Sequence, residues 1–313
     1  MEKVSLILGA GFSKRAANLP VLKQLFDWRV RPRNTREQRR IGFIRSMREL
    51  WESKTRGDRH PERFVSHMLR FSDRSRRAIL WYITRRLSDP FIATILGGMQ
   101  VLMIDDRRAG QHRGVARTRR FLQHFRGVQI CGIVTPNYDL LVEYALGTRG
   151  FNYGKVGEVL SGRGKNPIFP WQGAWPRLNG TVRLAKLHGS TSWDSKNRYT
   201  DGRCGLRGNA LIVLPEHRKL VPGSLRSTWD LAESILDSSQ KAIVFGFSFS
   251  PYDRALLALL KRGGRNLESV LLVDVEPKVS GARAVFPSVK ITCCPPPPFG
   301  LDRIKSWLLH GDR

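Results

Sequence analysis

Five short segments of this chain place small, polar or titratable residues directly after apolar, strand-forming runs. Gly9-Ala10-Gly11-Phe12-Ser13 follows Val4 to Leu8, and Thr135-Pro136-Asn137-Tyr138-Asp139 follows Val128 to Val134. His188-Gly189-Ser190 follows Val182 to Leu187, Gly246-Phe247-Ser248 follows Ala242 to Phe245, and Asp274 follows Val270 to Val273. Ligands of parallel sheets bind at the carboxyl ends of the strands, where these residues would gather. Glycines at 9 and 11 let the backbone approach a pyrophosphate, with the amides and positive dipole end of a following helix behind them. Position 14 is Lys, so the run is not a full GxGxxG fingerprint, and a plain tight turn reads it equally well. Ser248 reads either as a phosphate contact or as the cap of the next helix. Asp274 reads as an acceptor for a ribose diol or as a turn residue ahead of Glu276-Pro277.

His188 sits in a loop and titrates near neutrality, so it can take a proton from a ribose hydroxyl or a water. A purely structural role also suits a lone histidine. Asn137, beside Asp139, can orient water or a sugar hydroxyl without titrating.

The elements that must position these residues follow from hydrophobic periodicity. The chain opens as strand, glycine turn and helix, with helical character predicted from Leu19 to Trp28. From Arg29 to Gly127 the spacing is helical throughout. Ile41, Ile44, Met47 and Trp51 form one stripe, Phe64, Met68 and Phe71 a second, and Ile79, Ile83 and Leu87 a third, predicting four or five short helices. After Gly127 strands and helices alternate. Further strands are expected at Ala210 to Leu214 and Val289 to Thr292, with helices at Leu140 to Leu146, Thr228 to Leu236, Tyr252 to Lys261 and Leu301 to Leu309. A loop-rich stretch, Gly147 to Gly180, holds Trp171 and Trp175. The pattern predicts a Rossmann-like doubly wound parallel sheet from residues 1–28 and 128–313, interrupted by an inserted basic α-helical lobe at 29–127.

Charge separates the same two parts. The 313 residues hold 54 Lys+Arg against 26 Asp+Glu, a net charge of +28. The lobe has 24 Arg and one Lys against 9 acids, so +16 falls within 99 residues. Such density points to a negatively charged partner, either a regulatory protein or nucleic acid. No apolar run approaches the roughly 20 residues of a membrane span, so no membrane is expected. Cys131, Cys204, Cys293 and Cys294 form no CxxC pair; the reading is no zinc and a reducing, cytoplasmic setting.

Taken in order, Gly-Ala-Gly-Phe-Ser at 9–13 with Leu19-Pro20, Thr-Pro-Asn-Tyr-Asp at 135–139, Leu187-His188-Gly189 and Gly-Phe-Ser at 246–248 resemble the sirtuin superfamily. The closer likeness is to its bacterial sirtuin-like branch, which includes NAD-hydrolysing antiphage effectors. The resemblance implies that Gly9, Ala10, Gly11, Phe12 and Ser13 hold the NAD pyrophosphate, with Gly246 and Ser248 as a second phosphate contact. It implies Asn137 beside the nicotinamide ribose, Asp139 on the nicotinamide carboxamide, His188 as general base and Asp274 near the adenosine ribose. The chain departs from the deacylase pattern at Asn18-Leu19-Pro20-Val21-Leu22-Lys23 and at Pro136, and lacks a four-cysteine zinc ribbon. The implied activity is therefore cleavage of NAD+ to nicotinamide and ADP-ribose by an oligomeric defence effector switched on by a partner or by assembly. A non-catalytic nucleotide- or nucleic-acid-binding module and an NAD-dependent protein deacylase are the alternatives.

Overall fold

The computed structural model describes residues 2–27, 30–92, 113–147, 150–155, 181–194, 210–215, 219 and 221–310. Trp171, Trp175 and Cys204 lie outside them.

Seven parallel strands form the main sheet: β1 (Lys3–Leu8), β2 (Gln129–Thr135), β3 (Phe151–Asn152), β4 (Val182–Lys186), β7 (Lys241–Phe245), β8 (Ser269–Val273) and β9 (Lys290–Cys294). Their order is β3-β4-β2-β1-β7-β8-β9. Leaving out the two-residue edge strand β3, this is the 3-2-1-4-5-6 order of dinucleotide-binding sheets. Connections run outward from β1 in both directions, so the order reverses between β1 and β7.

Strand periodicity buries both faces. Leu6, Leu8, Ile243, Phe245, Leu271 and Val273 face one layer, against helices α1 (Ala10–Ala17), α5 (Arg113–Gln123), α6 (Leu141–Leu146) and α10 (Leu301–His310). Ile7, Val134, Ala242, Val244, Val270 and Leu272 face the other, against α7 (Arg226–Asp237), α8 (Arg254–Gly263) and α9 (Val279–Val285). The architecture is a Rossmann-like α/β sandwich.

The helical lobe has its own core. Among the described residues it holds α2 (Thr35–Lys54), α3 (Pro61–Phe71) and α4 (Asp73–Ile92). Asn34 caps α2 by accepting from the Glu37 amide at 2.9 Å, and Pro61 opens α3. The expected stripes meet as Ile44, Met47, Trp51, Phe64, Met68, Ile79 and Ile83. Phe71 does not join them; it is 60% exposed, because the stripe ends one turn earlier at Met68.

Other expectations needed revision. The first helix starts at Ala10, directly inside the glycine run, and the described residues of the expected helix Leu19 to Trp28 hold a 3-10 turn at Leu22–Gln24 rather than an α-helix, Trp28 itself lying outside the described residues. Two of the lobe helices are 20 residues long rather than short. Within the segment 29–127, α5 packs through Val115, Phe121 and Leu122 onto the sheet, beside α1. Ala210–Ile212 (β6) stays out of the main sheet and pairs antiparallel with β5 (Gly189–Asp194). Its Ala210 and Ile212 insert into the core of the lobe.

Candidate functional site

The reversal point between β1 and β7 is where the two glycine turns meet. Gly11 N donates to Gly246 O at 2.9 Å, and Gly9 N donates to Phe245 O at 2.9 Å. A Cβ on Gly11 would lie 2.7 Å from the Gly246 Cα, and one on Gly9 would strike the Gly246 carbonyl. Gly246 has φ +62, and a Cβ there would strike the backbone of Gly11 and Phe12. The three glycines thus permit contact of backbone with backbone. Because the Gly9, Gly11 and Phe12 amides already serve protein carbonyls, they are not free donors for a phosphate. Ala10, at the exposed start of α1, is the residue of this run that faces solvent.

Asn137 and Asp139 tie the neighbouring strand end to the same turn. Asn137 Nδ2 donates to Gly9 O at 2.9 Å and to Ser13 Oγ at 3.0 Å. Ser13 Oγ in turn donates to Asp139 Oδ2 at 2.8 Å, and the Leu141 amide donates to Asp139 Oδ1 at 3.0 Å. Both carboxylate oxygens of Asp139 are therefore occupied. With its Nδ2 committed to protein, half-buried Asn137 keeps Oδ1 as an acceptor for an incoming hydroxyl. Thr135 Oγ1 completes the junction by donating to Leu8 O at 2.6 Å and accepting from the Asn137 amide at 3.1 Å.

Behind this network is a polar group that no sequence pattern announced. Lys186 Nζ donates to Glu143 Oε1 at 2.7 Å and to the Asp139 carbonyl, and Tyr153 donates to the same Glu143 oxygen at 2.9 Å. All three are buried, so the cation at the end of β4 anchors the loop that carries Asp139.

His188 follows β4, whose end is held by a 2.7 Å bond from Trp229 Nε1 to the Leu187 carbonyl. It is only 4% exposed. Its Nε2 lies 3.0 Å from Asp253 Oδ2, off the line of a good hydrogen bond, and the Pro136 carbonyl also faces the ring. Burial pushes the imidazole pKa below 6.5, outweighing the opposite pull of Asp253, so the ring is neutral at pH 7. Burial would raise the Asp253 carboxyl, but His188 and Lys219 together bring it down to about 2. Lys219 Nζ lies 2.7 Å from Asp253 Oδ2 and 4.0 Å from Glu62 Oε1. Glu62, raised by burial, belongs to α3 of the lobe. The lobe therefore reaches the His188 ion cluster through Glu62, with His60 and Tyr252 packed ring to ring at 5.1 Å. Gly189 (φ +77) follows because a Cβ there would strike the Leu211 carbonyl of β6.

Ser248 and Asp274 complete the rim. Ser248 is exposed, and it does not cap α8, whose preceding residue is Asp253. Asp274 Oδ1 accepts from the Glu276 amide at 3.2 Å, the turn expected before Pro277. Beside the glycine turns, a cavity of about 510 Å3 opens between α1, α5 and the loop before α10. Phe12, Phe121 and Phe245 form its apolar wall, while Arg15, Arg117 and Arg120 supply cations. That donor set suits a ligand with a flat apolar part and phosphates. Among the described residues no cluster of ligating side chains could hold a metal ion, and no helix is long and apolar enough to cross a membrane.

The strand order and the crevice at its reversal define the chain as an α/β protein of the dinucleotide-binding architecture. No protein-family model matches it, and no curated protein does either. Among solved structures it is similar to one from work on the "Structural Basis for the Mechanism and Regulation of Sir2 Enzymes". Identity there is 15%, the TM-score is 0.42, and 93% of this chain and 86% of that chain are covered.

Proposed function

We propose that the chain is a latent NAD+ glycohydrolase that cleaves NAD+ to nicotinamide and ADP-ribose. The observation that carries this reading is the junction at the reversal point. There Asn137, anchored on Gly9 and Ser13, stands one residue from Pro136, whose carbonyl faces the His188 ring. In the reaction, Asn137 Oδ1 accepts a hydrogen bond from the attacking water or the ribose hydroxyl and fixes its direction. Neutral His188 takes the proton released when that oxygen bonds to C1′, and Asp253 stabilises the resulting imidazolium. Nicotinamide leaves with the electron pair of the C1′–N bond as a neutral molecule, so no side chain has to act as a strong acid. Arg15, Arg117 and Arg120 balance the pyrophosphate.

The burial of His188 would make the activity latent: on this reading the base is reached only when the cluster that links it through Asp253 and Lys219 to Glu62 opens. The same burial also favours a second reading, nucleotide binding without turnover. Incubating the pure chain with NAD+, alone and under candidate activators, separates the two. Nicotinamide release by wild type that is lost in His188→Ala and Asn137→Ala is the expected result. Bound NAD+ that is never turned over supports the second reading, and equal turnover by all three proteins overturns the assigned roles.

A further inference from the structure

The lobe carries a cleft that the proposed reaction leaves unused. Arg36, Arg39 and Arg40 on α2 and Arg74 and Arg77 on α4 line a cavity of about 540 Å3, with Phe43 in its wall. On α2 the positions 36, 39, 40 and 43 share one helical face, so the side chains stack along a single stripe. At 1.5 Å per residue, Arg36 and Arg40 stand about 6 Å apart along the axis.

These five arginines share one cleft with no carboxylate in contact among the described residues, although Glu37 lies near enough to act on Arg40. Other guanidinium groups of the lobe are matched, among them Arg48 to Glu52 at 2.5 Å, Arg86 to Asp27 at 2.6 Å and Arg63 to Asp58 at 3.2 Å. Among the described residues none of the five has a carboxylate oxygen within 4.0 Å. The nearest acid in sequence, Glu37, already accepts from the Arg33 amide at 2.9 Å and faces Arg85 at 3.7 Å. Arg40 and Arg74 rest on aromatic faces instead, 5.4 Å from the Trp81 centroid and 5.3 Å from that of Phe43. Four of the five are exposed, so the cations are presented to solvent.

We infer that this cleft binds the phosphodiester backbone of single-stranded nucleic acid. A concave trough between two helices cannot enter a duplex groove as a protruding helix does, but it can follow one chain of phosphates. An acidic protein would need apolar surface to bury at the centre of its interface. Here the one large apolar side chain lining the cleft, Phe43, is half-buried under Arg74. The inference concerns binding and stands or falls independently of the reaction.

The test is fluorescence anisotropy on the full chain with three labelled probes: a 20-nucleotide thymidine oligonucleotide, a duplex of equal length and a poly-glutamate peptide. The variant Arg36→Ala/Arg39→Ala/Arg77→Ala is compared with Arg254→Ala/Arg283→Ala/Arg303→Ala, which removes the same charge from exposed positions of the α/β part. The expected result is preference for the single strand, at least a 10-fold loss in the cleft variant, and a log–log salt slope shallower by about 2. The control triple should lose less than 3-fold. Equal loss in both triples, wild-type affinity in the cleft variant, or tighter binding of the duplex or the peptide would each overturn the inference.

Discussion

His188 Nε2 and Asp253 Oδ2 lie 3.0 Å apart, although 65 positions separate the two residues in the chain. Asp253 reaches this position from the turn before α8, and Lys219 Nζ approaches the same Oδ2 at 2.7 Å. The histidine is therefore one member of an ion cluster rather than an isolated imidazole.

Asp253 should make stability depend on acid. Its carboxyl is held at about 2 in the fold against 3.8 ordinarily, so its contribution is complete above pH 4 and lost as pH falls toward 2. The shift corresponds to about 2 kcal/mol. Urea unfolding at stepped pH in a His188→Gln background, where the imidazole cannot titrate, should show Asp253→Asn less stable than its parent by a constant margin above pH 5, with the margin shrinking below pH 4. A margin that grows on acidification would refute this.

His188 is displaced in the other sense, and its folded pKa lies below 6.5. For a basic group so depressed, stability is present above 6.5 and lost as pH falls through that value. Since Asp253 pulls the pKa up, Asp253→Asn should lower it further. Histidine titration by NMR, assigned with His188→Gln, would read both shifts; a resonance titrating above 6.5 would contradict the buried, neutral ring.

Glu62 is a buried acid whose pKa is raised, chiefly by burial. Keeping it charged at neutral pH costs stability, and that cost vanishes below its unfolded pKa. Glu62→Gln should raise the melting temperature at pH 7 by a few degrees and leave it unchanged near pH 4. Because this substitution loosens the hold of α3 on Lys219, it should also raise any NAD+ turnover of the unstimulated chain.

Gly246→Ala puts a methyl group into the backbone of Gly11 and Phe12 at φ +62. A loss of about 2–4 kcal/mol is expected from strain and displacement together. Chemical denaturation would measure it, and a change below 1 kcal/mol would show that the two turns are not packed as described.

Ser13→Ala removes the donor to Asp139 Oδ2 and an acceptor for Asn137. Leaving a buried carboxylate oxygen short of a partner should cost about 1–3 kcal/mol. The variant should weaken NAD+ binding as well, since Asn137 loses one of its two anchors. Calorimetry on the folded variant would separate the two effects.

The sequence by itself determined the α/β alternation, the basic insert and the five strand ends at which polar residues collect. Strands with apolar residues on both faces need no partner to be recognised, and neither do helical stripes such as Ile41, Ile44, Met47 and Trp51. Local pattern also carried the turn at Asp274. It overreached at Phe71, which continues the spacing but lies beyond the reach of a partner helix.

Only the tertiary structure decided what those strand ends do. Gly9 and Gly11 look in sequence like a cradle for a ligand, yet they face another backbone, because β7 adds beside β1 and brings Gly246 into the same space. Asp253, Lys219 and Glu62 belong to three unrelated segments, and no spacing rule links them to His188. They converge because the lobe packs against β6 and the turn before α8, and removing four ionisable groups from water forces them to compensate one another. The arginines of the lobe could be counted from the sequence. Which of them are paired with acids and which face an open cleft depended on how α2 and α4 pack.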